Sequence, residues 1–182
     1  AYIAKTCDTT LQNGDVWFFN NDDPNDIRTL DEMIDVYHDT VGNGCTMELD
    51  FAIDRDGLVN QIHADRYRVF GDWIRSCYDS PYEATISGPV LLNGTYNYDI
   101  TFEKSVTIDR MSLREDITQG QRVRSFSLLS GTVNSTEITN GTSIGNRRIK
   151  LFNQTIRAQE LKLFVTAVSA PKLSQIAFFA PC

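Results

Sequence analysis

Long apolar runs are absent from this sequence: no stretch approaches the roughly 18 to 20 consecutive apolar residues that a membrane-spanning helix requires, so a helical span is not expected. Basic clusters are equally scarce. The longest is the pair Arg147-Arg148, and 17 basic against 24 acidic residues leave a net charge of -7. Phosphate backbones bind to basic footprints, so nucleic acid is excluded as a partner. Histidine occurs twice, at His38 and His63, and neither has a companion at metal-ligand spacing; no metal site is expected. The turn Asp54-Arg55-Asp56-Gly57 lacks the downstream glutamate of a calcium loop. Without a glycine-rich phosphate loop or a Gly-x-Ser-x-Gly elbow, no cofactor is expected either. The opening residues, Ala1-Tyr2-Ile3-Ala4-Lys5, have no signal-peptide apolar core, so a targeting segment is expected elsewhere.

What is present points to an oxidising compartment. Four Asn-x-Ser/Thr acceptors, at Asn93, Asn134, Asn140 and Asn153, crowd the second half of the chain, none blocked by proline. They suggest N-glycosylation. The four cysteines, Cys7, Cys45, Cys77 and Cys182, are an even number that permits three pairings, of which Cys7 with Cys45 and Cys77 with Cys182 is favoured. The expected location is extracellular, or the lumen of a lysosome-like or vacuole-like compartment.

Periodicity divides the chain in two. The short apolar run Val16-Trp17-Phe18-Phe19, between Asn13-Gly14 and Asn20-Asn21-Asp22-Asp23-Pro24, reads as a buried strand. Thr29 and Glu32 form a capping box, and Leu30, Met33, Ile34, Tyr37 and Val41 recur at helical spacing until Gly42-Asn43-Gly44. Residues 45–53 then alternate as a strand, and residues 63–77 read as a second helix. His38 falls near the end of the first helix, where a cation complements the dipole, and His63 at the start of the second. The order is βαβα over residues 1–78. Two parallel strands leave their edges unpaired, so the rest of that sheet is expected from another chain. Residues 79–182 change character: β-rich runs near 105–108, 122–129, 148–152, 161–168 and 175–179 alternate with Asn/Gly/Thr turns, as in an antiparallel sandwich or jelly roll. The fold class is α/β followed by all-β.

The order of motifs resembles a known family. Cys7-Asp8-Thr9-Thr10-Leu11, Gly14-Asp15-Val16-Trp17-Phe18-Phe19, the helix around Leu30-Asp31-Glu32-Met33-Ile34-Asp35-Val36-Tyr37-His38, Val41-Gly42-Asn43 and Asp54-Arg55-Asp56-Gly57-Leu58-Val59 look like the closing part of the (β/α)8 barrel of glycoside hydrolase family 29 α-L-fucosidases, plant or fungal type. Residues 114–123 and 142–149 resemble that family's C-terminal domain. The resemblance implies retaining hydrolysis of terminal α-L-fucose, with two carboxyl groups about 5 to 5.5 Å apart. It places the nucleophile upstream, so this chain alone is expected to be inactive. Implied partners are an N-terminal barrel chain and a fucosylated glycan, with a homo-oligomer as a further expectation.

For substrate binding, Phe19 matches the family's sugar-packing position and Trp17 lies nearby. Asn20, Glu48 and Asp50 are candidate pocket-lining residues. Glu48 and Asp50, two apart on a strand, share a side; a solvated strand end or a hydrogen-bond network is preferred to a catalytic pair. The family's Val-Gly-Arg-Asn and strand-ending Asn-x-Pro-Pro are replaced by Val41-Gly42-Asn43-Gly44 and by Glu48, Asp50, Ala52 and Ile53, and a strand-end histidine by Asn20. These departures motivate the alternative expectation of a non-catalytic extracellular structural or carbohydrate-binding protein.

Overall fold

The computed structural model describes residues 5–14, 16–131 and 135–182. Two parallel strands, β1 (Lys5–Thr10) and β2 (Cys45–Asp50), pair from Lys5 opposite Cys45 to Thr10 opposite Asp50. Helix α1 (Leu30–Thr40) connects them and α2 (Gln61–Tyr78) follows. The α1 capping box forms as expected: the Thr29 hydroxyl accepts from the Glu32 amide at 3.3 Å and the Glu32 carboxylate accepts from the Thr29 amide at 2.7 Å. A short 3-10 turn, Val41–Asn43, ends at Gly44, whose φ of 85° is the left-handed conformation glycine adopts without a Cβ penalty. Helix α2 starts at Asn60, which accepts from the Ile62 amide.

The first strand is not where the apolar run placed it. Residues 16–19 have no strand pairing, and Trp17 and Phe18 are 48% and 85% exposed. The strand lies upstream, in the Lys-Thr-Cys-Asp-Thr-Thr run of β1. Its β-branched threonines suit an extended backbone, and the Cys7–Cys45 disulfide, with Cα atoms 5.8 Å apart, fastens it to β2. The second strand ends at Asp50, short of Ile53.

The remaining strands, β3 (Thr85–Leu92), β4 (Thr95–Glu115), β5 (Val123–Ser130), β6 (Glu137–Gly141), β7 (Arg148–Ala167) and β8 (Leu173–Phe179), form one antiparallel sheet in the order β3-β4-β7-β5-β6, with β8 added against β4. The runs expected at 148–152 and 161–168 are two ends of one strand, β7. Asn93 and Gly94, at φ 50° and 79°, make the two-residue turn joining β3 to β4. Irregularities in the β4–β7 ladder between Thr101 and Val106, and between Ile108 and Arg110, interrupt the long pair. The inward side chains Tyr98, Ile100, Phe102, Val106, Ile108, Met111, Leu113, Phe126, Leu128, Leu163 and Phe178 meet in a single core, the folded-over arrangement of a β-sandwich.

The irregularity before Arg110 has a second effect. Inward positions pass from Ile108 to Met111 and Leu113, so Arg110 and Ser112 face the other way; all four residues from Arg110 to Leu113 are buried. The end of β4 is therefore covered on both faces. Sandwich residues Ile149, Ala177 and Phe179 join Leu11, Ile27, Met33, Tyr37, Phe70, Cys77 and Tyr78 in a second core beneath the helices. The Cys77–Cys182 disulfide closes this junction. Both favoured cysteine pairings are present, and no described cysteine is free.

Candidate functional site at the ends of the parallel strands

Parallel pairing brings the C-terminal ends of β1 and β2 to one place, with Thr10 opposite Asp50. From there the chain enters two loops, residues 11–28 and 51–60. Gln12, 3% exposed, organises the first. Its side-chain amide donates to the carbonyls of Val16 (2.9 Å) and Phe18 (2.8 Å), and its carbonyl accepts from the Asn20 amide (2.9 Å). One glutamine thus substitutes for a strand partner along Val16, Phe18 and Asn20. A Gln12–Ile27 bridge and the Arg28 guanidinium, donating to the Thr10 carbonyl at 3.0 Å, close the loop base.

Trp17, Phe19 and Asn20 are therefore brought together on one loop. Phe19 turns inward and its ring lies 5.6 Å from His63 in the first turn of α2, tilted by 57°. His63 is 1% exposed and, among the described residues, neither ring nitrogen has a hydrogen-bond partner. Burial disfavours the imidazolium and lowers its pKa, an effect the Pro24 carbonyl opposes without completing a hydrogen bond to the ring. Trp17 and Phe18 stay outside this contact, with most of the apolar surface of Phe18 free.

Glu48 and Asp50 stand on the face of β2 opposite Met47 and Leu49, which pack toward the helices. Asp8 is the cross-strand partner of Glu48. The neighbouring Asp8 carboxyl, by hydrogen bonding and then by charge, raises the Glu48 pKa above the usual carboxylate range. Asp50 lies at the strand end, where the Tyr67 hydroxyl donates to its backbone carbonyl and Phe51 stacks on the Tyr67 ring at 3.8 Å. Asp8 and Gln12 were not singled out from the sequence, since they lie on and just past β1, a strand that no apolar run announces, and His63 reads there only as a residue at the start of α2.

Both outer edges of the β1–β2 pair lack a neighbouring strand among the described residues. Trp17, Phe18, Phe51, Ile53, Leu58, Val59, Ile62 and Val69, all exposed, lie in this same half. Beside β2, Tyr37, Met47, Leu49, Phe70, Ile74 and Arg114 line an open cleft of about 440 Å³.

Asn43, where the family pattern carries arginine, donates to the Asp39 carbonyl at 3.0 Å and accepts from the guanidinium of Arg148, tying the end of α1 to the sandwich. Nearby, Arg147 donates to the Tyr37 hydroxyl at 3.1 Å, and Arg110 donates to the Cys77 carbonyl at 2.9 Å while lying over the Tyr78 ring. His38 bonds the Tyr78 hydroxyl at 2.6 Å. Burial, and then the Arg110 charge, hold its pKa low, so it sits in the junction as a neutral ring rather than as a helix-capping cation.

Asn93, Asn140 and Asn153 are exposed; Asn134 lies outside the described residues. No group of three or more His, Cys, Asp or Glu side chains suited to a metal ion occurs among the described residues, and no described helix is long and apolar enough to cross a membrane.

A short parallel βα unit packed on a β-sandwich through a shared core is the architecture of the C-terminal part of a class of glycoside hydrolases. A putative α-L-fucosidase of Bacteroides thetaiotaomicron superposes with a TM-score of 0.87 over 100% of this chain and 42% of its own, at 23% identity. A family 29 fucosidase of Ruminococcus gnavus, solved with fucose, superposes at 0.84 over 97% of this chain and 41% of its own, at 19% identity. In sequence, the chain is 23% identical to alpha-L-fucosidase 1 of Arabidopsis thaliana across 98% of its length, spanning 41% of that relative. No protein-family model matches. By sequence and fold the chain is a homologue of the C-terminal part of the α-L-fucosidases of glycoside hydrolase family 29. Plant and bacterial relatives are equally similar at 23%, so no plant or fungal type is singled out.

Proposed function

We propose that this chain is the C-terminal portion of a secreted α-L-fucosidase-like glycoside hydrolase, completed by an upstream (β/α) barrel portion that supplies the nucleophile for retaining hydrolysis of terminal α-L-fucose. The observation that carries this reading is the two-stranded parallel sheet with both edges unpaired, beside a cluster of exposed apolar side chains. Parallel sheets are stable when both faces are covered and their edges continued. Upstream βα units would extend the sheet from β1 and from β2 and cover Phe51, Ile53 and Leu58. Within this chain, residues 1–78 are assigned to the barrel half and residues 79–182 to the sandwich, a division that coincides with the end of α2 at Tyr78.

In the completed barrel, the Asp8, Glu48 and Asp50 face looks into the lumen. The loop carrying Trp17, Phe19 and Asn20 stands at the C-terminal rim, where barrel enzymes place their sites. Fucose has an apolar methyl edge, and an aromatic wall at Phe19 and Trp17 suits it. The role assigned to this chain is to position the sugar; the covalent step belongs to the upstream carboxyl groups. Two disulfides and the sequons support an extracellular or lumenal location.

Turnover of 4-nitrophenyl α-L-fucoside tests the proposal. The complete protein is expected to hydrolyse it, this chain alone to be inert, and Phe19→Ala to raise KM more than it lowers kcat. Failure of the complete protein to turn over any α-L-fucoside would overturn it.

A further inference from the structure

An open groove lies on the outer face of the sandwich, formed by residues of β3 to β7. It measures about 860 Å³ and is floored by outward side chains of β4, β7 and β5. Register fixes which residues share the face: Asn97 stands opposite Phe164, Phe164 opposite Ser127, and Asp99 opposite Lys162, to which it is salt-bridged at 2.8 Å. At one margin Val90 and Leu92 of β3 are 54% and 58% exposed. The floor is amphipathic, with Phe164, Leu129, Val90 and Leu92 set among hydroxyl, amide and charged groups.

One glycosylation acceptor lines this groove and a second faces the same side of the sheet from edge strand β6. Asn93, in the β3–β4 turn, is part of its lining. Asn140, on edge strand β6, stands opposite Ser127 and so projects from the groove face rather than the core face. On the core side of β6, Gly141 lies against the Phe126 ring, where an added Cβ would come within 2.5 Å. That contact fixes the strand's facing and thereby the direction of Asn140. Phe164 lies two strand spacings from β6, about 10 Å.

We propose that this groove is the seat of the chain's own N-linked glycans: the N-acetylglucosamine cores carried on Asn93 and Asn140 fold back over Leu92, Phe164 and Leu129 and close the face to other proteins. N-acetylglucosamine presents what the groove accepts, an apolar ring face and acetyl methyl beside hydroxyl and amide groups, and two attached chains at opposite margins bar a flat protein partner. The inference rests on the secretory reading above.

The complete protein, expressed in a glycosylating eukaryotic host, is analysed by glycopeptide mass spectrometry and by NMR of the acetyl methyl groups after trimming to single N-acetylglucosamine residues. The expected result is occupancy at Asn93 and Asn140, with acetyl methyls shifted upfield and showing Overhauser contacts to Phe164. Phe164→Ser should abolish the shift with occupancy unchanged. Thr142→Ala should remove the Asn140 signal while leaving Asn140 in place, and Thr95→Ser should keep the Asn93 one. Occupancy at Asn153 with Asn93 and Asn140 bare, or occupied with methyl shifts of free sugar, overturns the groove proposal and leaves the secretory reading standing. No occupancy at any acceptor overturns both.

Discussion

Glu115 is buried at 3% exposure, yet among the described residues no cation pairs with it and three backbone amides do. One carboxylate oxygen accepts from Arg122 (2.6 Å) and Val123 (3.1 Å), the other from Gly145 (3.3 Å), while the Glu115 amide donates to the Gly145 carbonyl at 3.0 Å. These bonds join the β4–β5 connection to the loop that delivers Arg147 and Arg148 to the helices. Glu115→Gln keeps the shape but turns an amide N–H toward the Gly145 N–H. A hydrogen bond to a charged group contributes about 1.5–3 kcal/mol, and an orphaned buried donor costs about 1–3 kcal/mol. Relief of carboxylate desolvation offsets part of this, leaving a net loss of about 2–4 kcal/mol. At about 2–4 °C per kcal/mol for a chain of this size, the melting temperature should fall by about 4–16 °C. Hydrogen exchange adds a local readout, in which the amides of Arg122, Val123 and Gly145 are slow in the parent and Gly145 is fast in the variant. Tyr98 supplies another: burial first and the Glu115 charge second push its phenol up to about 12, so its titration should move down in the variant. A variant that melts higher, with Gly145 still protected, would show instead that carboxylate desolvation outweighs the three amide bonds.

Glu48→Gln should stabilise the protein at neutral pH. The Glu48 pKa is raised by Asp8, so the favourable state is the protonated one, present below the unfolded carboxylate range and lost as pH rises through the folded pKa. The gain should shrink in acid and, because both groups are exposed, in high salt, as denaturant titrations at several pH values will show. His63→Met should flatten the acid limb of stability. The folded pKa of His63 is depressed, so stability is complete above about 6.5 and lost as pH falls through the folded value; an unchanged slope below 6.5 would contradict its burial without partners. Replacing Cys77 and Cys182 by serine opens a separation of 105 residues and should cost about 4.7 kcal/mol, against about 3.9 kcal/mol for Cys7 and Cys45 at a separation of 38, read from denaturant midpoints.

Local codes were readable in the sequence where one residue type does one job. Thr29 with Glu32 announced α1, and the even cysteine count led to the two bridges found. Val16 to Phe19 misled because apolar content stood in for burial: the run is held by the side chain of Gln12, not by a neighbouring strand. β1 was invisible for the converse reason, since threonine, aspartate and lysine carry no apolar alternation. The merging of residues 148–152 and 161–168 into β7 could not be read either, because exposed polar residues between them look like a turn when they belong to a bent ladder. His63 looked like a helix-start residue; only the fold sets it against Phe19 without a partner. For the candidate site, Phe19, Asn20, Glu48 and Asp50 were named from the sequence, while Asp8 opposite Glu48 required the parallel register.

Native mass spectrometry of the protein purified from its source decides whether the β1–β2 pair is continued by polypeptide outside these 182 residues. The expected species is heavier than this chain alone, either a second polypeptide held to it or a longer continuous chain, and its added sequence carries the barrel nucleophile. A folded monomer with the mass of this chain and nothing else would contradict it.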